Sequence, residues 1–187
     1  RLSRYLPDGK SIVFASDDGN EDHIEIIGLD DLQDPKKIEV DTGRPVEIKV
    51  SPKSNEIVLS NNRNELIWID LESSKSKVID KNAYFLIDGF NWSSDGRWIA
   101  YACNINRTQS VIKVYDTKSG EIHEITKPVL KDMMPVFDPL GRYLYIISLR
   151  IFNPVYDKMN FALGFPKGMR PYLITLRREL PSPFVPV

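Results

Sequence analysis

The fold is decided by the stretch Trp92-Ser93-Ser94-Asp95-Gly96-Arg97-Trp98-Ile99-Ala100-Tyr101. Its Asp-Gly pair predicts a tight turn, because glycine readily takes the positive φ values that such turns require. The residues after the turn are rich in large β-forming side chains, which predicts a strand. A second strand is predicted over Val111-Ile112-Lys113-Val114-Tyr115-Asp116. The stretch therefore predicts a unit of short antiparallel strands.

The same pattern occurs four times along the chain. Its turn landmarks are Gly9, Asn55, Gly96 and Gly141, which lie 46, 41 and 45 residues apart. A period of about 40–50 residues with four short strands per unit is typical of β-propeller blades. No long stretch has a helical period, so the prediction is an all-β propeller with about four four-stranded antiparallel blades. Their approximate limits are 1–41, 42–82, 83–128 and 129–187.

Each blade is predicted to contain strands A to D, in that order. Strand A is predicted at 2–6, 45–50, 85–92 and 132–137, and strand B at 11–16, 56–60, 97–103 and 142–148. Strand C is predicted at 23–29, 65–70, 110–116 and 171–176, and strand D at 36–40, 76–80 and 121–126. A fourth strand of the last blade near 183–187 is disfavoured by Pro181, Pro183 and Pro186.

The last blade carries an insertion over residues 150–170, between its strands B and C. Ordinary hairpin loops have about 2–5 residues, and long ordered loops are often functional. Many residues of this insertion are apolar, so it is expected to pack on the propeller face, on a neighbouring domain or on another chain. Two interpretations stay open: a lid over its own blade, or a docking or gating element.

The number of blades also leaves two alternatives. Propellers have about 4–8 blades, so four blades form either a rare small ring or part of a larger one. The chain starts within a strand and has no clear closing strand, which favours part of a larger ring. Such a segment has two uncovered blade faces, and in isolation it is expected to dimerise or aggregate.

The composition excludes several classes of protein. Hydrophobic residues make up 42% and charged residues 27% of the 187 residues, as in globular proteins. The net charge of −1 argues against general nucleic-acid binding. No apolar run approaches the length of about 18 residues that a membrane-spanning helix requires, and no signal-peptide pattern follows Arg1. Cys103 is the single cysteine, so neither an internal disulfide nor a cysteine-based zinc site is expected.

The last blade resembles the end of the larger, seven-bladed propeller in the tricorn protease family. The resemblance extends through the chain and is carried by residues 16–22, 95–101 and 126–132, by Pro181-Ser182-Pro183-Phe184, and above all by the runs Ser148-Leu149-Arg150-Ile151-Phe152-Asn153-Pro154-Val155-Tyr156-Asp157, Asn160-Phe161 and Gly164-Phe165-Pro166-Lys167-Gly168-Met169-Arg170-Pro171-Tyr172-Leu173.

This resemblance implies a cytoplasmic serine peptidase that degrades oligopeptides downstream of the proteasome or similar proteases. The family combines two propellers, a PDZ-like domain and two catalytic subdomains, and it assembles as a hexamer. The chain would supply the last four blades of the second propeller, which forms the substrate channel and closes without an interlocking strand. The catalytic Ser, His and acidic residues of the family lie beyond this propeller, so no catalytic position is assigned here.

The residues themselves also place catalysis elsewhere. The chain has no G-x-S-x-G, H-E-x-x-H or phosphate-binding glycine motif, and no metal or cofactor is expected. His23 and His123 are predicted to be surface or hairpin residues, and Cys103 a small buried residue. The acidic cluster Asp17, Asp18, Glu21 and Asp22 surrounds Gly19-Asn20, which predicts a solvated hairpin turn and not a calcium loop.

Three basic residues are candidates for the substrate channel. Inner strands line the central hole of a propeller, so residues at the start of strand A face it. Arg44 and Lys131 hold such positions, and Arg150 ends a strand B just before the insertion. Cations in a low-dielectric funnel would attract the carboxylates of a passing peptide, although each of the three also fits an ordinary solvated loop.

Two other classes of protein remain as alternatives. A TolB-like propeller that serves as a protein-binding scaffold would share the Asp-Gly turns but lack the pattern between Phe152 and Tyr172. The propeller of a prolyl-oligopeptidase-like enzyme would need an α/β-hydrolase domain beyond Val187.

Overall fold

A computed structural model describes residues 2–19, 21–30, 34–165 and 168–184. Within these residues the chain forms seventeen strands and no helix. Consecutive antiparallel strands make four main sheets, each of which is one blade, so the predicted all-β propeller architecture is confirmed.

The first three blades each have four strands in chain order. Blade one contains β1 (Ser3–Tyr5), β2 (Ser11–Ser16), β3 (His23–Gly28) and β4 (Lys36–Ile38). Blade two contains β5 (Pro45–Val50), β6 (Glu56–Asn61), β7 (Glu65–Asp70) and β8 (Lys75–Lys81). Blade three contains β9 (Asn91–Trp92), β10 (Trp98–Asn104), β11 (Ser110–Asp116) and β12 (Ile122–Glu124).

Blade four is a sheet of three described strands. It contains β13 (Lys131–Phe137), β14 (Tyr143–Leu149) and β17 (Met169–Thr175), while β15 (Val155–Asp157) and β16 (Ala162–Gly164) form a separate hairpin within the insertion. The insertion therefore ends at residue 168, two residues earlier than predicted, because Met169 and Arg170 pair with Leu149 and Ser148. Of the doubtful strand at 183–187, Pro183 and Phe184 lie in a turn, and residues 185–187 lie outside the described residues.

Two further sequence predictions were wrong. Strand A of blade three was predicted at 85–92, but β9 spans only Asn91–Trp92, since Gly89 has a φ of 62° and donates its N–H to Glu47 of blade two. The turn landmark Asn55 does not have the positive φ of Gly9, Gly96 and Gly141. The position equivalent to Gly96 is Ser54. The hydroxyl of Ser54 stabilises this turn by donating a 2.9 Å hydrogen bond to Ser51 Oγ.

The core lies between the blades. Each pair of neighbouring blades encloses one apolar cluster, represented by Ile24 and Ile57 for blades one and two, Ile79 and Tyr101 for two and three, and Ile112 and Leu144 for three and four. The innermost strands β1, β5, β9 and β13 contact each other in chain order, which is the arrangement around a propeller axis.

The two inner blades are covered on both faces. Strand β6 of blade two is therefore buried along nearly its whole length, whereas β14 of blade four alternates between buried and exposed residues. On β14, Leu144 and Ile146 face blade three, and Tyr145 on the opposite face is 37% exposed. The outer face of blade four is thus a half-exposed sheet surface.

Candidate functional site

The three predicted channel residues lie at the same end of the blades. In blade four, Lys131 pairs with Leu149, and Leu149 pairs with Met169, so the insertion leaves the sheet at the end where strand A begins. Arg44 immediately precedes β5 and holds the corresponding position in blade two. The structure therefore places Arg44, Lys131 and Arg150 at one end, but no described contact joins Arg44 to the other two.

Arg150 is held by a buried carboxylate. Its guanidinium donates from Nη2 to both oxygens of Asp132 (3.1 and 2.9 Å) and from Nε to Ser148 Oγ (2.9 Å). The Asp132 side chain is only 4% exposed and the Arg150 side chain 29%. The hydroxyl of Ser148 donates a short hydrogen bond to the same carboxylate, and the guanidinium lies over the Tyr172 ring at 5.2 Å. Arg150 therefore compensates a buried charge at the start of the insertion.

This network also joins two blades. Ser110 of blade three donates its hydroxyl to the carbonyl of Asp132 (2.7 Å) and accepts the N–H of the same residue (3.0 Å). Asp132 thus has its backbone fixed by blade three and its side chain fixed by Ser148 and Arg150 of blade four. This arrangement could not be predicted, because Asp132 is recognisable as the partner of Arg150 only once the register of β13 and β14 is known.

Arg44 is exposed, whereas Lys131 is half-buried like Arg150. The Lys131 ammonium lies 5.8 Å from the centre of the Phe85 ring, in blade three, a cation–π contact between blades. The Arg44 side chain is 75% exposed, with its Nε 3.7 Å from Asp22 Oδ2, so this pair is a weak surface ion pair. Arg44 also donates its backbone N–H to Asn62 Oδ1 (3.0 Å).

A charged network that the sequence analysis missed lies beside Arg44. Arg63 donates two hydrogen bonds to Asp41 (2.9 and 3.0 Å) and one to Glu65 (2.9 Å), which also accepts from Lys81 (3.1 Å). The hydrogen bonds from Arg63 lower the pKa of Asp41, and a hydrogen bond from Asn61 together with the neighbouring cations lowers that of Glu65. Arg44, Asp41 and Arg63 line an open cleft of about 870 Å³.

The insertion presents an apolar surface at this end. The rings of Phe152 and Phe165 pack at 5.3 Å and line a cavity of about 500 Å³ with Leu149, Gly168 and Met169. At the tip, Met159 is 88% exposed and Phe161 is 81% exposed. The base of the insertion therefore packs on its own blade, while its tip does not.

Of the other predicted residues, His23 lines the same cleft as Arg44 and begins β3 in the β2–β3 hairpin, in agreement with a hairpin position. Its side chain is buried, with Nδ1 2.8 Å from the Glu21 carbonyl oxygen and Nε2 2.7 Å from Oε1 of Glu25. His123 lies on β12 with its side chain 48% exposed, as predicted. Cys103 is buried, as predicted. Among the described residues, no group of three or more His, Cys, Asp or Glu side chains is arranged to hold a metal ion.

Comparison with known proteins identifies the family. The sequence model described as "Tricorn protease second beta propeller domain" matches residues 1–187. The chain belongs to the tricorn protease family. It is 37% identical over 181 residues to a Tricorn-like protease C-terminal subunit of Sulfurisphaera tokodaii, a match that covers 97% of this chain and 20% of the relative. It is 36% identical over 184 residues to a tricorn protease homolog of Saccharolobus solfataricus, covering 98% and 16%.

Solved structures agree with the tricorn assignment. The chain superimposes on the crystal structure of the tricorn protease with a TM-score of 0.84 at 26% identity, over 94% of this chain and 18% of that one. The TolB-like protein of Agrobacterium tumefaciens gives a TM-score of 0.60 at 17% identity, over 94% and 61%, which shows a shared fold alone. The chain thus spans a fifth or less of its tricorn relatives. None of the described segments forms a helix of the length and apolarity needed to cross a membrane.

Proposed function

We propose that the chain is the substrate-channel segment of a tricorn-type serine peptidase, and that its parent protein degrades oligopeptides in the cytoplasm. The observation that carries this proposal is the match of the whole chain to the second propeller of the family. Catalysis belongs to the catalytic subdomains of the parent chain. The parent chain also contains a PDZ-like domain. Further blades complete a seven-bladed ring with the four present here, and six copies of the parent assemble into a hexamer.

Within this proposal, the channel end of the ring is the end that carries Arg44, Lys131 and the insertion. The Lys131 ammonium and the exposed Arg44 guanidinium attract the carboxylates of entering peptides, and the ring walls reduce screening by water. Arg150 contributes mainly by positioning, because its charge already compensates Asp132. The exposed tip of the insertion, with Met159 and Phe161, serves as a gating element at the channel entrance.

Charge reversal in the full-length parent tests this role. We expect the Arg44→Glu/Lys131→Glu double variant to lower kcat/KM for acidic peptides of about 12 residues by roughly 10-fold at low salt, and to change it little for basic peptides of equal length. High salt should reduce the difference, since exposed charges are screened. Lys10→Glu is the matched control, because Lys10 is exposed in the A–B turn at the opposite end of blade one.

Equal effects of the control and the double variant would contradict the channel role. A parent protein with no peptidase activity at all would instead favour the second class of function, a TolB-like scaffold that binds other proteins. In that case the catalytic assignment fails, although the propeller fold stands.

A further inference from the structure

The gaps between neighbouring blades differ, although the strands have the same register. Trp68 lies two residues before the end of β7 and pairs with Val58, and Val114 lies two residues before the end of β11 and pairs with Ala100. Trp68 and Val114 are therefore equivalent positions on the faces that blades two and three turn toward the next blade. A tryptophan in one blade is thus replaced by a much smaller valine in the next.

The side chain at the equivalent position of the facing blade is also smaller. Tyr115 of blade three pairs with Ile99, and the equivalent residue of blade four is Ile174, which pairs with Leu144. Between blades two and three, Trp68 packs into the core and Lys77 extends over the Tyr115 ring at 5.3 Å. Large side chains on both sides therefore close that gap.

Between blades three and four the same place is open. With Val114 in place of Trp68, a cleft of about 640 Å³ that Val114 helps to line separates the blades. His123 holds the position of Lys77, but its ring lies against Trp98 of its own blade at 6.1 Å and does not bridge the gap. The volume lies within the range of about 300–1,000 Å³ that is typical of ligand sites.

The cleft has apolar walls and a rim that carries both an acidic and a basic side chain. Its walls include Trp98 and Phe137, and at its rim Leu140 is 70% exposed and Leu176 is 37% exposed. Asp95 and Arg177 also line the cleft. Asp95 Oδ1 already accepts hydrogen bonds from Ser93 Oγ and the Arg97 N–H, and no ion pair of Arg177 is found among the described residues. An apolar cavity beside an uncompensated guanidinium complements a ligand that is apolar at one end and carries a carboxylate next to it.

We propose that this cleft binds an extended segment of a partner protein, which inserts a bulky apolar side chain between blades three and four and places an acidic residue beside Arg177. A chain with such a pair of side chains fills the volume beside Val114 and compensates the charge of Arg177 at the rim. The walls come from the outer strands and the turns, away from the start of the inner strands, so this site is independent of the proposed channel.

The test uses the full-length parent and three capped, dye-labelled pentapeptides. The first has leucine, phenylalanine and aspartate between two glycines, the second has asparagine in place of aspartate, and the third has serines in place of the two apolar residues. By fluorescence polarisation, the first peptide should bind with a Kd of about 10–500 μM, as expected for a short flexible ligand. The asparagine peptide should bind roughly 5–10-fold more weakly, and the serine peptide should not bind at about 1 mM.

Variants locate the binding. Val114→Trp restores the side chain that closes the neighbouring gap and should weaken binding at least about 10-fold. Leu140→Ser, at an exposed position where folding is not at risk, should weaken it about 3–10-fold. Arg177→Gln should remove the preference for aspartate over asparagine, whereas Arg178→Gln, one residue further along, should retain it.

Three results would overturn the proposal. The first is no binding of the aspartate peptide to the wild type at about 1 mM. The second is unchanged binding by both Val114→Trp and Leu140→Ser, which would place the peptide elsewhere. The third is an equal loss of the aspartate preference in Arg177→Gln and Arg178→Gln. None of these results depends on peptidase activity, so failure here is distinguishable from failure of the channel role.

Discussion

The hydroxyl of Tyr101 in blade three donates a 2.9 Å hydrogen bond to Oδ2 of Asp80 in blade two. The same oxygen accepts the Lys113 ammonium at 2.8 Å, and the Asp80 and Lys113 side chains are only 18% and 22% exposed. Burial by itself raises the pKa of Asp80, but the hydrogen bond and charge of Lys113 outweigh it and leave the pKa below its usual value. Burial raises the pKa of Tyr101, which remains a neutral donor. An ionised Asp80 therefore links the two blades.

Removing this carboxylate should weaken the contact between blades two and three. Asp80→Ala leaves Lys113 partly buried without its partner and should cost about 3–5 kcal/mol of local opening free energy. Tyr101→Phe removes a single hydrogen bond to a charged group and should cost about 1.5–3 kcal/mol. Hydrogen exchange of the β8, β10 and β11 amides in the parent protein measures both effects.

An exposed ion pair serves as the control for this prediction. Asp41 is bonded to Arg63, but its side chain is 77% exposed, so Asp41→Ala should cost no more than about 1 kcal/mol. If Asp80→Ala were as mild as Asp41→Ala, the link between the blades would have no special role.

The buried pair of blade four gives a second prediction. Arg150→Ala leaves the Asp132 carboxylate, 4% exposed, without its cation and should lower the opening free energy of β13, β14 and β17 by about 3–5 kcal/mol. Arg150→Lys should recover only part of this loss, since a single ammonium cannot reproduce the planar guanidinium that bonds both Asp132 and Ser148 Oγ. Arg44→Ala, at a side chain that is 75% exposed, should change it by less than about 0.5 kcal/mol.

Hydrogen exchange of the β13, β14 and β17 amides measures these opening free energies. The double variant Asp132→Asn/Arg150→Gln is measured in the same way. This variant removes both charges, so it should be more stable than Arg150→Ala. Unchanged exchange in Arg150→Ala would mean that the guanidinium is free to act on substrates and is not needed for the fold.

The local features of the fold could be predicted from the sequence, and the contacts between distant residues could not. Alternating β-forming residues and the glycines at Gly9, Gly96 and Gly141 act within a few residues, and the sequence predicted the strands around them. The extent of β9 depends on the hydrogen bond from Gly89 to Glu47, which is a contact between two blades. Local periodicity contains no information about such a contact.

In the candidate site too, local features could be predicted from the sequence and contacts between distant residues could not. The positions of Lys131 and Arg150 at one end of blade four follow from strand order alone. The environment of Arg150 depends on Asp132, 18 residues away, and on Ser110 in another blade. The cleft between blades three and four depends on the small size of Val114, which becomes informative only when the blades are superimposed.

His23 gives a prediction for the pH dependence. Its hydrogen bonds to the Glu21 carbonyl and to the Glu25 carboxylate raise its pKa, because the charged ring donates to both. The folded pKa of His23 therefore lies above the unfolded value of about 6.5, so the protonated ring stabilises the hairpin. This stabilisation is fully present below about pH 6.5 and is lost as the pH rises through the folded pKa. The protection of the β2–β3 amides should therefore fall as the pH rises above about 6.5.

Exchange rates corrected for their intrinsic pH dependence measure this effect. His23→Asn should remove the pH dependence, whereas His123→Asn should keep it, since the His123 ring is half exposed and lies on another blade. A hairpin whose protection rises over this range would show that His23 is held in its neutral form.

Cys103 gives a direct report on the interface between blades two and three. Its side chain is buried, and its sulfur accepts a 3.5 Å hydrogen bond from Asn82 Nδ2 in the segment after β8. Burial raises the pKa of the thiol, so both access and the thiolate fraction are low in the folded state. Alkylation by iodoacetamide should therefore be at least about 100-fold slower in the native parent than in urea, as read from the Cys103 peptide by mass spectrometry.

Asp80→Ala should accelerate the native reaction because it opens this interface, while Arg150→Ala, which acts between blades three and four, should not. If alkylation were equally fast in Arg150→Ala and Asp80→Ala, the blades would open as one unit and not at separate interfaces.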